Sequence, residues 1–216
     1  MFRESAAWYD HFYGGKDYVA EARRVTELIR QRHPDARTLL DVACGTGRHL
    51  EHFRQEFACE GLDLDEGLLA VARRRLPGLR LTRADMADFD LGRRFDAVTC
   101  LFSAVGYLAT VERLKAAVRA MARHLEPGGV LVVEPWILPE AWIEGGTTTV
   151  EVVEDDHRKL VRVIASSREG AMSVLRFHYA VAADGDIATA DERHELRLFT
   201  HDEYAAAFLE AGLDTS

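Results

Sequence analysis

Over the first 133 residues, apolar positions follow two alternating rhythms. Residues 38–42, 58–64, 79–82, 95–102 and 130–133 are short runs rich in hydrophobic and β-forming side chains, the mark of strands buried on both faces. Between them, residues 19–33, 48–57, 65–75 and 110–124 repeat their apolar positions at helical spacing. In the first of these Val25, Leu28 and Ile29 share a face and Pro34 stops the run. In the last, Leu114, Val118 and Met121 point inward behind Thr110 as N-cap, and Asp65 caps the third. Strand–helix alternation of this kind predicts a parallel sheet with right-handed crossovers.

After residue 139 the rhythm changes. Residues 147–154, 160–168, 172–181 and 193–199 alternate with a period of two, with turns at Glu169-Gly170 and Ala183-Asp184-Gly185-Asp186. This predicts a four-stranded antiparallel sheet. It carries His178, Tyr179, Arg193 and His194, some of which would face a ligand. Thr200-His201-Asp202-Glu203 is a capping box opening a helix over 204–210, ended by Gly212. The expected organisation is an α/β domain of residues 1–139 plus 200–216, with residues 140–199 inserted after the fifth strand as a lid or floor.

Composition narrows the function. The 216 residues carry a net charge of −9 and no basic tract, which excludes nucleic acid and an anionic membrane as partners. The start, Met1 to Ser5, has no apolar core of a signal peptide, and no apolar run reaches the ~20 residues of a membrane span. Cys44, Cys59 and Cys100 are isolated, as buried free thiols of a reducing cytoplasm would be. His49 and His52 share a helix face, but no third ligand converges on them, so no metal site is expected.

Candidate chemistry gathers around residues 38–50. A buried strand ends at Asp41-Val42, Gly45 and Gly47 follow one residue apart, and a helix begins. This is a nucleotide-binding βα unit. Gly45 is expected to take the positive φ of a tight turn, and Gly47 to let a ligand approach the backbone. Leu50 stands where a third dinucleotide-type glycine would be, and no Gly-Lys-Ser/Thr follows, so a phosphate loop is excluded. Asp41 instead suits a cationic or hydroxyl-rich ligand. Asp63, ending the second strand, is placed to accept from ribose hydroxyls. Asp85 and Met86, after the third strand, could read an adenine edge and cover its face. Ser103, Gly106 and Tyr107 lie at the rim beyond the fourth strand. The aromatic stretch 8–18, with a Gly14-Gly15 hinge, could close over the pocket.

Taken together, the motifs Leu40-Asp41-Val42-Ala43-Cys44-Gly45-Thr46-Gly47, Gly61-Leu62-Asp63-Leu64, Asp85-Met86-Ala87-Asp88-Phe89 and Leu125-Glu126-Pro127-Gly128-Gly129 resemble those of class I S-adenosylmethionine-dependent methyltransferases. More narrowly, Gly15-Lys16-Asp17-Tyr18, Val98 to Ser103, Val133-Glu134-Pro135-Trp136 and Arg197-Leu198-Phe199-Thr200 resemble the TDP-3-amino-sugar N,N-dimethyltransferases of macrolide pathways. The resemblance implies a Rossmann-like sheet and S-adenosylmethionine as cofactor, with S-adenosylhomocysteine as product. It implies cofactor contacts from Asp41, Ala43, Gly45, Gly47 and Tyr18, and from Asp63, Leu64, Asp85, Met86 and Leu101. Two departures stand. Those enzymes carry Gly-His where this chain has Gly106-Tyr107, and they continue into a Gly/Arg-rich tail. The resemblance also implies further C-terminal core strands, which are missing as far as residue 216; an open sheet edge would leave room for a homodimer.

Methyl transfer from a sulfonium needs positioning rather than a metal or covalent nucleophile. Tyr13 and Tyr107, with His11 and Glu134 behind them, are the expected groups to orient an amine and relay its proton. The expected acceptor is a small molecule, a TDP-amino sugar. The alternatives are another N- or O-acceptor, a nicotinamide-dependent oxidoreductase, and a non-catalytic S-adenosylmethionine-binding protein.

Overall fold

In the computed structural model, which describes residues 8–143, 145–154 and 158–215, the five buried runs pair as one parallel sheet. They are β1 (Thr38–Val42), β2 (Ala58–Asp63), β3 (Arg80–Arg83), β4 (Phe95–Cys100) and β5 (Leu125–Val133), in the spatial order β3-β2-β1-β4-β5. The chain moves outward one way from β1 to β3, then returns to the other side of β1 at β4. That reversal opens a crevice beyond the carboxyl ends of β1 and β4, the place where open α/β sheets hold ligands.

Helices cover both faces. On one side α2 (Tyr18–Arg32), α3 (Arg48–Phe53) and α4 (Glu66–Arg75) bury Ile29, Leu50, Phe53 and Leu69 against Leu39 and Ala97. On the other, α5 (Val111–Arg123) and α6 (His201–Glu210) bury Leu114, Val118, Met121 and Ala207 against Leu40, Val98 and Cys100. The caps follow the sequence. Asp65 accepts from the N–H groups of Gly67 and Leu68, Thr110 from that of Arg113, and Thr200 and Glu203 form the full capping box.

The second sheet is antiparallel, in the order β6 (Thr148–Glu154), β7 (Arg158–Glu169), β8 (Met172–Ala183) and β9 (Asp186–Arg197). One face is covered by the short helix α1 (Tyr9–Phe12), with Trp8 and Phe12 packed on Phe177 and Tyr179. Among the described residues no strand follows α6, and β5 is a sheet edge.

Several boundaries differ from expectation. The helix expected over 48–57 ends at Phe53, and Phe57 still packs inward beyond a turn. The fourth strand stops at Cys100, because Phe102 and Ser103 take positive φ of 53° and 61° and turn the chain across the crevice. The fifth begins at Leu125, five residues early, through an irregular pairing that skips from Phe95–Leu125 to Ala97–Val130. The last antiparallel strand begins at Asp186 rather than 193; its first four residues are exposed, so the alternation that marks a half-buried strand is missing there. Residues 1–7, including the Met1 to Ser5 start, and Ser216 lie outside the described residues.

Candidate functional site

A cavity of about 670 Å³ opens between the two sheets, within the usual range for small-ligand sites. Its floor is built by the ends of the parallel strands and the turns after them: Ala43 and Gly45, Asp63 and Leu64, Asp85 and Met86, Leu101 to Ser103. Its far wall is the inner row of the antiparallel sheet: Arg162, Leu175, Phe177, Tyr179, His194 and Leu196. Tyr9, Phe12, Tyr13 and Tyr107 close the sides. A smaller cavity of about 40 Å³, walled by Tyr18, Asp41, Cys44, Thr46, Arg48 and His49, shares Tyr9, Ala43, Gly45, Leu101 and Phe102 with the larger one.

The two glycines do different work. Gly45 has φ +56° and a Cβ there would meet nothing within 4 Å, so this position looks into open space. Gly47, also at positive φ, faces away from both cavities. A Cβ there would lie 2.8 Å from Leu76 Cδ1 and 3.3 Å from Ala72 Cβ. The expectation that Gly47 admits a ligand is therefore corrected: it admits α4, and it sets how closely α3 and α4 approach.

Three carboxylates order the floor. Asp63 accepts from the Gly45 N–H (2.8 Å) through one oxygen and from the Asp65 N–H (2.8 Å) through the other. It pins the glycine turn to the end of β2 while lining the cavity. Burial pushes its carboxyl up, and those N–H groups oppose the shift. Asp41 is fully enclosed and accepts from Thr99 Oγ1 (2.7 Å). Burial pushes it up to about 7, helped by the charge of Asp63 and opposed by the Thr99 bond. Asp85 accepts from the Ala87 N–H (2.9 Å) and, through both oxygens, from Arg113. Against burial, which acts the other way, these donors hold its carboxyl below the usual range.

The residues present fit S-adenosylmethionine. Among the described residues Arg48 Nε is buried with no hydrogen-bond partner beside the smaller cavity, 3.8 Å from Asp10 Oδ1, and Asp41 also walls that cavity. An unsatisfied guanidinium N–H and a carboxylate suit the carboxylate and ammonium of an amino-acid moiety. Tyr18 lines the same cavity, its ring 5.0 Å from His49 and under the Arg48 guanidinium. Burial pushes the Tyr18 phenol up to about 12, opposed by Arg48. Asp63, Leu64, Asp85, Met86 and Leu101 line the adjoining floor, where a nucleoside would extend.

The expected acceptor-side residues separate. Tyr13 and Tyr107 both line the main cavity. Tyr13 Oη accepts from Arg162 (3.2 Å) and its ring meets Phe102 edge-on. Tyr107 Oη lies 2.8 Å from His194 Nδ1. His11 lines neither cavity; it lies on α1 between inward residues of a four-residue helix. Glu134 also lines neither. It is exposed and accepts from the Phe102 N–H (2.7 Å), bracing the turn that carries Phe102 and Ser103. Both are corrected as site residues. Of the four named on the antiparallel sheet, Tyr179 and His194 point in, while His178 pairs with Asp191 and Arg193 with Glu169 and Glu195 on the outer face. Sequence reasoning missed Arg162. Its side chain is 4% exposed, and its guanidinium is ion-paired with Glu151 and lies over the rings of Phe12, Tyr13 and Phe177. Phe12, Trp136, Leu175 and Phe177 were also missed; period-2 counting along β8 would have found the last two.

A glycine turn, an acidic residue closing β2, a small polar recess beside it and a roofed chamber above make this a cofactor site of a S-adenosylmethionine-dependent methyltransferase. Residues 39–129 match a family model described as a methyltransferase domain. The chain is 51% identical over 95% of its length to the dTDP-3-amino-3,4,6-trideoxy-alpha-D-glucopyranose N,N-dimethyltransferase of Streptomyces venezuelae, covering 88% of that protein. It superimposes on crystalline Streptomyces venezuelae DesVI with a TM-score of 0.94 at 49% identity, over 99% of this chain and 92% of that one. It also matches S-adenosylmethionine-bound CalS10, an amino pentose methyltransferase from Micromonospora echinaspora involved in calicheamicin biosynthesis, with a TM-score of 0.86 at 46% identity, over 98% and 89% of the two chains. The chain belongs to the family of dTDP-amino-sugar N,N-dimethyltransferases.

Proposed function

We propose that this enzyme methylates the amine of a dTDP-linked amino sugar, and does so twice, as in antibiotic biosynthesis. The observation carrying the reading is that the two cavities share five wall residues, Tyr9, Ala43, Gly45, Leu101 and Phe102, so the recess walled by Arg48 and Asp41 adjoins an aromatic chamber large enough for a second, sugar-sized ligand. The family's dimethyl products supply the count. Bound S-adenosylmethionine provides an electrophilic methyl group. Asp63 and Asp85 hold its nucleoside end, with Leu64, Met86 and Leu101 against the base. Asp41 and Tyr18 hold the methionine end, and Ala43 and Gly45 meet the ligand through backbone.

The chain's own residues then bring a neutral amine to that methyl. Burial pushes the phenols of Tyr9 and Tyr107 well above their ordinary value, so both stay protonated and act as neutral hydrogen-bonding groups. Tyr13, held by Arg162, and Tyr107, held by His194, flank the chamber and orient the amine. Placement of two reactants in this way contributes ~7–11 kcal/mol. The apolar wall of Phe12, Leu175, Phe177 and Leu196 keeps water from the reacting atoms. Residues 140–199 form the acceptor-side unit of this reading. Three free cysteines support a cytoplasmic setting; among the described residues no helix is long and apolar enough to cross a membrane.

Incubation with S-adenosylmethionine and dTDP-3-amino-3,4,6-trideoxy-glucose, followed by mass spectrometry, tests the proposal. A gain of two methyl groups on the sugar is expected. S-adenosylhomocysteine binding without any methylated sugar would defeat the acceptor assignment and leave the cofactor assignment standing.

A further inference from the structure

Along β9 the inward row is Ala190, Glu192, His194 and Leu196, and the outward row is Asp191, Arg193 and Glu195. His194 is 2% exposed and stands between two partners. Its Nδ1 lies 2.8 Å from Tyr107 Oη, and its Nε2 lies 3.2 Å from Glu192 Oε2. Tyr107 comes from the 3-10 turn Ala104–Leu108 beyond β4, so the pair spans from one sheet to the other across the cavity that both residues line. The Tyr179 hydroxyl on β8 donates to the far side of the same chain, 3.5 Å from Glu192 Oε2.

The polarity of the chain follows from the chemistry of its ends. Glu192 can only accept when ionised, so His194 Nε2 carries a hydrogen and donates to it. A neutral imidazole then leaves Nδ1 as acceptor, and Tyr107 donates to Nδ1. Burial, with Tyr13, Tyr179 and Glu192 nearby, keeps the Tyr107 phenol protonated, as that role requires. A phenol oxygen that donates its hydrogen keeps lone pairs with which to accept.

We propose that Tyr107, His194 and Glu192 form a proton relay that drains the acceptor amine between its first and second methylation. The proposal rests on the amine-methylation reading. The first transfer leaves a secondary ammonium, which has no lone pair and cannot accept a second methyl. Its N–H bond breaks, and the electron pair stays on nitrogen. The proton passes to Tyr107 Oη while the Tyr107 hydrogen passes to His194 Nδ1. The imidazolium so formed is balanced by the Glu192 carboxylate, and its proton returns to water when the site opens. Around the imidazole, Glu192 favours the charged form. Arg162 on β7, whose guanidinium lies over the Phe177 ring that His194 meets edge-on, opposes it, and the Tyr13 and Tyr179 side chains line the same cavity. Within this chain Tyr107 is the member that touches the substrate, and His194 and Glu192 behind it position it and hold the proton. His178–Asp191 on the outer face is a similar pair at 2.8 Å that meets solvent instead of the cavity, and so provides a control.

The test follows mono- and dimethylated sugar over time by mass spectrometry, with S-adenosylmethionine and dTDP-3-amino-3,4,6-trideoxy-glucose, between pH 6.5 and 9. Wild type, Tyr107→Phe, His194→Gln, Glu192→Gln and His178→Gln are compared, and S-adenosylhomocysteine binding reports folding. At pH 7, Tyr107→Phe and His194→Gln are expected to raise the ratio of mono- to dimethyl product at least tenfold. By pH 9 the ratio should return toward wild type, since solvent then removes the proton. Glu192→Gln should move the same way and His178→Gln not at all. An unchanged ratio in Tyr107→Phe and His194→Gln overturns the relay. So does an equal loss of both steps with no recovery at high pH. Should His194→Gln not fold, Tyr107→Phe, which removes one oxygen, decides alone. No methylated sugar from wild type would instead remove the amine reading, and the relay with it.

Discussion

The two glycines of the cofactor loop can be told apart by one methyl group each. Gly47→Ala places a Cβ at φ +77°, 2.8 Å from Leu76 Cδ1 and 3.3 Å from Ala72 Cβ. Leu76 and Ala72 are both fully buried, and the Ala72 methyl cannot rotate away. Left-handed backbone costs an L-residue ~1–2 kcal/mol, and overpacking costs a further ~1–3 kcal/mol. The apo protein should therefore lose about 2–5 kcal/mol in urea denaturation. Gly45→Ala has the same backbone term, at φ +56°, but no neighbour within 4 Å. It should lose only ~1–2 kcal/mol. Binding should reverse the order. The new methyl of Gly45→Ala projects into the ligand space and should weaken S-adenosylhomocysteine more than tenfold by calorimetry. At a temperature where it is folded, Gly47→Ala should bind within about threefold of wild type. A Gly47→Ala protein as stable as wild type but unable to bind would refute the assignment of this glycine to helix packing.

Other outcomes follow from the same geometry. Asp41 has its folded pKa raised from 3.8 to about 7, so the folded state holds the extra proton and stability falls as pH rises through that window. Asp41→Asn should match wild type near pH 4 and exceed it at pH 8 by up to ~4 kcal/mol, as read from pH-dependent urea midpoints; equal midpoints at pH 8 would count against an enclosed, strained carboxylate. Asp63→Ala should weaken S-adenosylhomocysteine by ~1–3 kcal/mol, because the Gly45 turn loses its anchor along with a ligand contact; unchanged affinity would remove Asp63 from the site. His11→Ala should leave kcat and KM for the sugar near wild type, whereas Tyr13→Phe should raise KM. In native protein Cys44 and Cys100 should resist iodoacetamide at pH 8, since burial pushes both thiols up, and should label on unfolding.

The parallel sheet was legible because each of its strands is a buried run flanked by helices whose caps are written in side chains: Asp65, Thr110 and Thr200. That Asp41, Asp63 and Asp85 line the cavities was legible for the same reason, since they sit at or just beyond strand ends, and strand ends can be read. What could not be read was direction. His11 and Tyr13 are two residues apart, and only the turn of α1 decides that one enters the chamber and the other does not. Glu134 follows a strand as Asp63 ends one, yet the positive φ values at Phe102 and Ser103 bring the Phe102 N–H to its carboxylate and spend it on the backbone. Arg162 was hidden by composition: a charged residue on a strand reads as outward, and only its cross-strand partner Glu151, Phe177 on the neighbouring strand and the rings of Phe12 and Tyr13 from α1 and the turn after it let a guanidinium stay inside. The first four residues of β9 were hidden because both their faces are wet.

Helix α1 has one further consequence. Asp10 accepts from Thr46 Oγ1 (2.7 Å) and Arg75 (2.5 Å), both beside the cofactor loop, while Tyr9, Phe12 and Tyr13 of the same turn wall the acceptor chamber. One short segment thus belongs to both ligand sites. Any shift of the loop that tightens or loosens the grip on Asp10 is felt three residues later at Tyr13. Coupling through such a shared segment is reciprocal: the factor by which the sugar nucleotide changes the affinity for S-adenosylhomocysteine must equal the factor by which S-adenosylhomocysteine changes the affinity for the sugar nucleotide. Asp10→Asn should bring that factor toward one in both titrations.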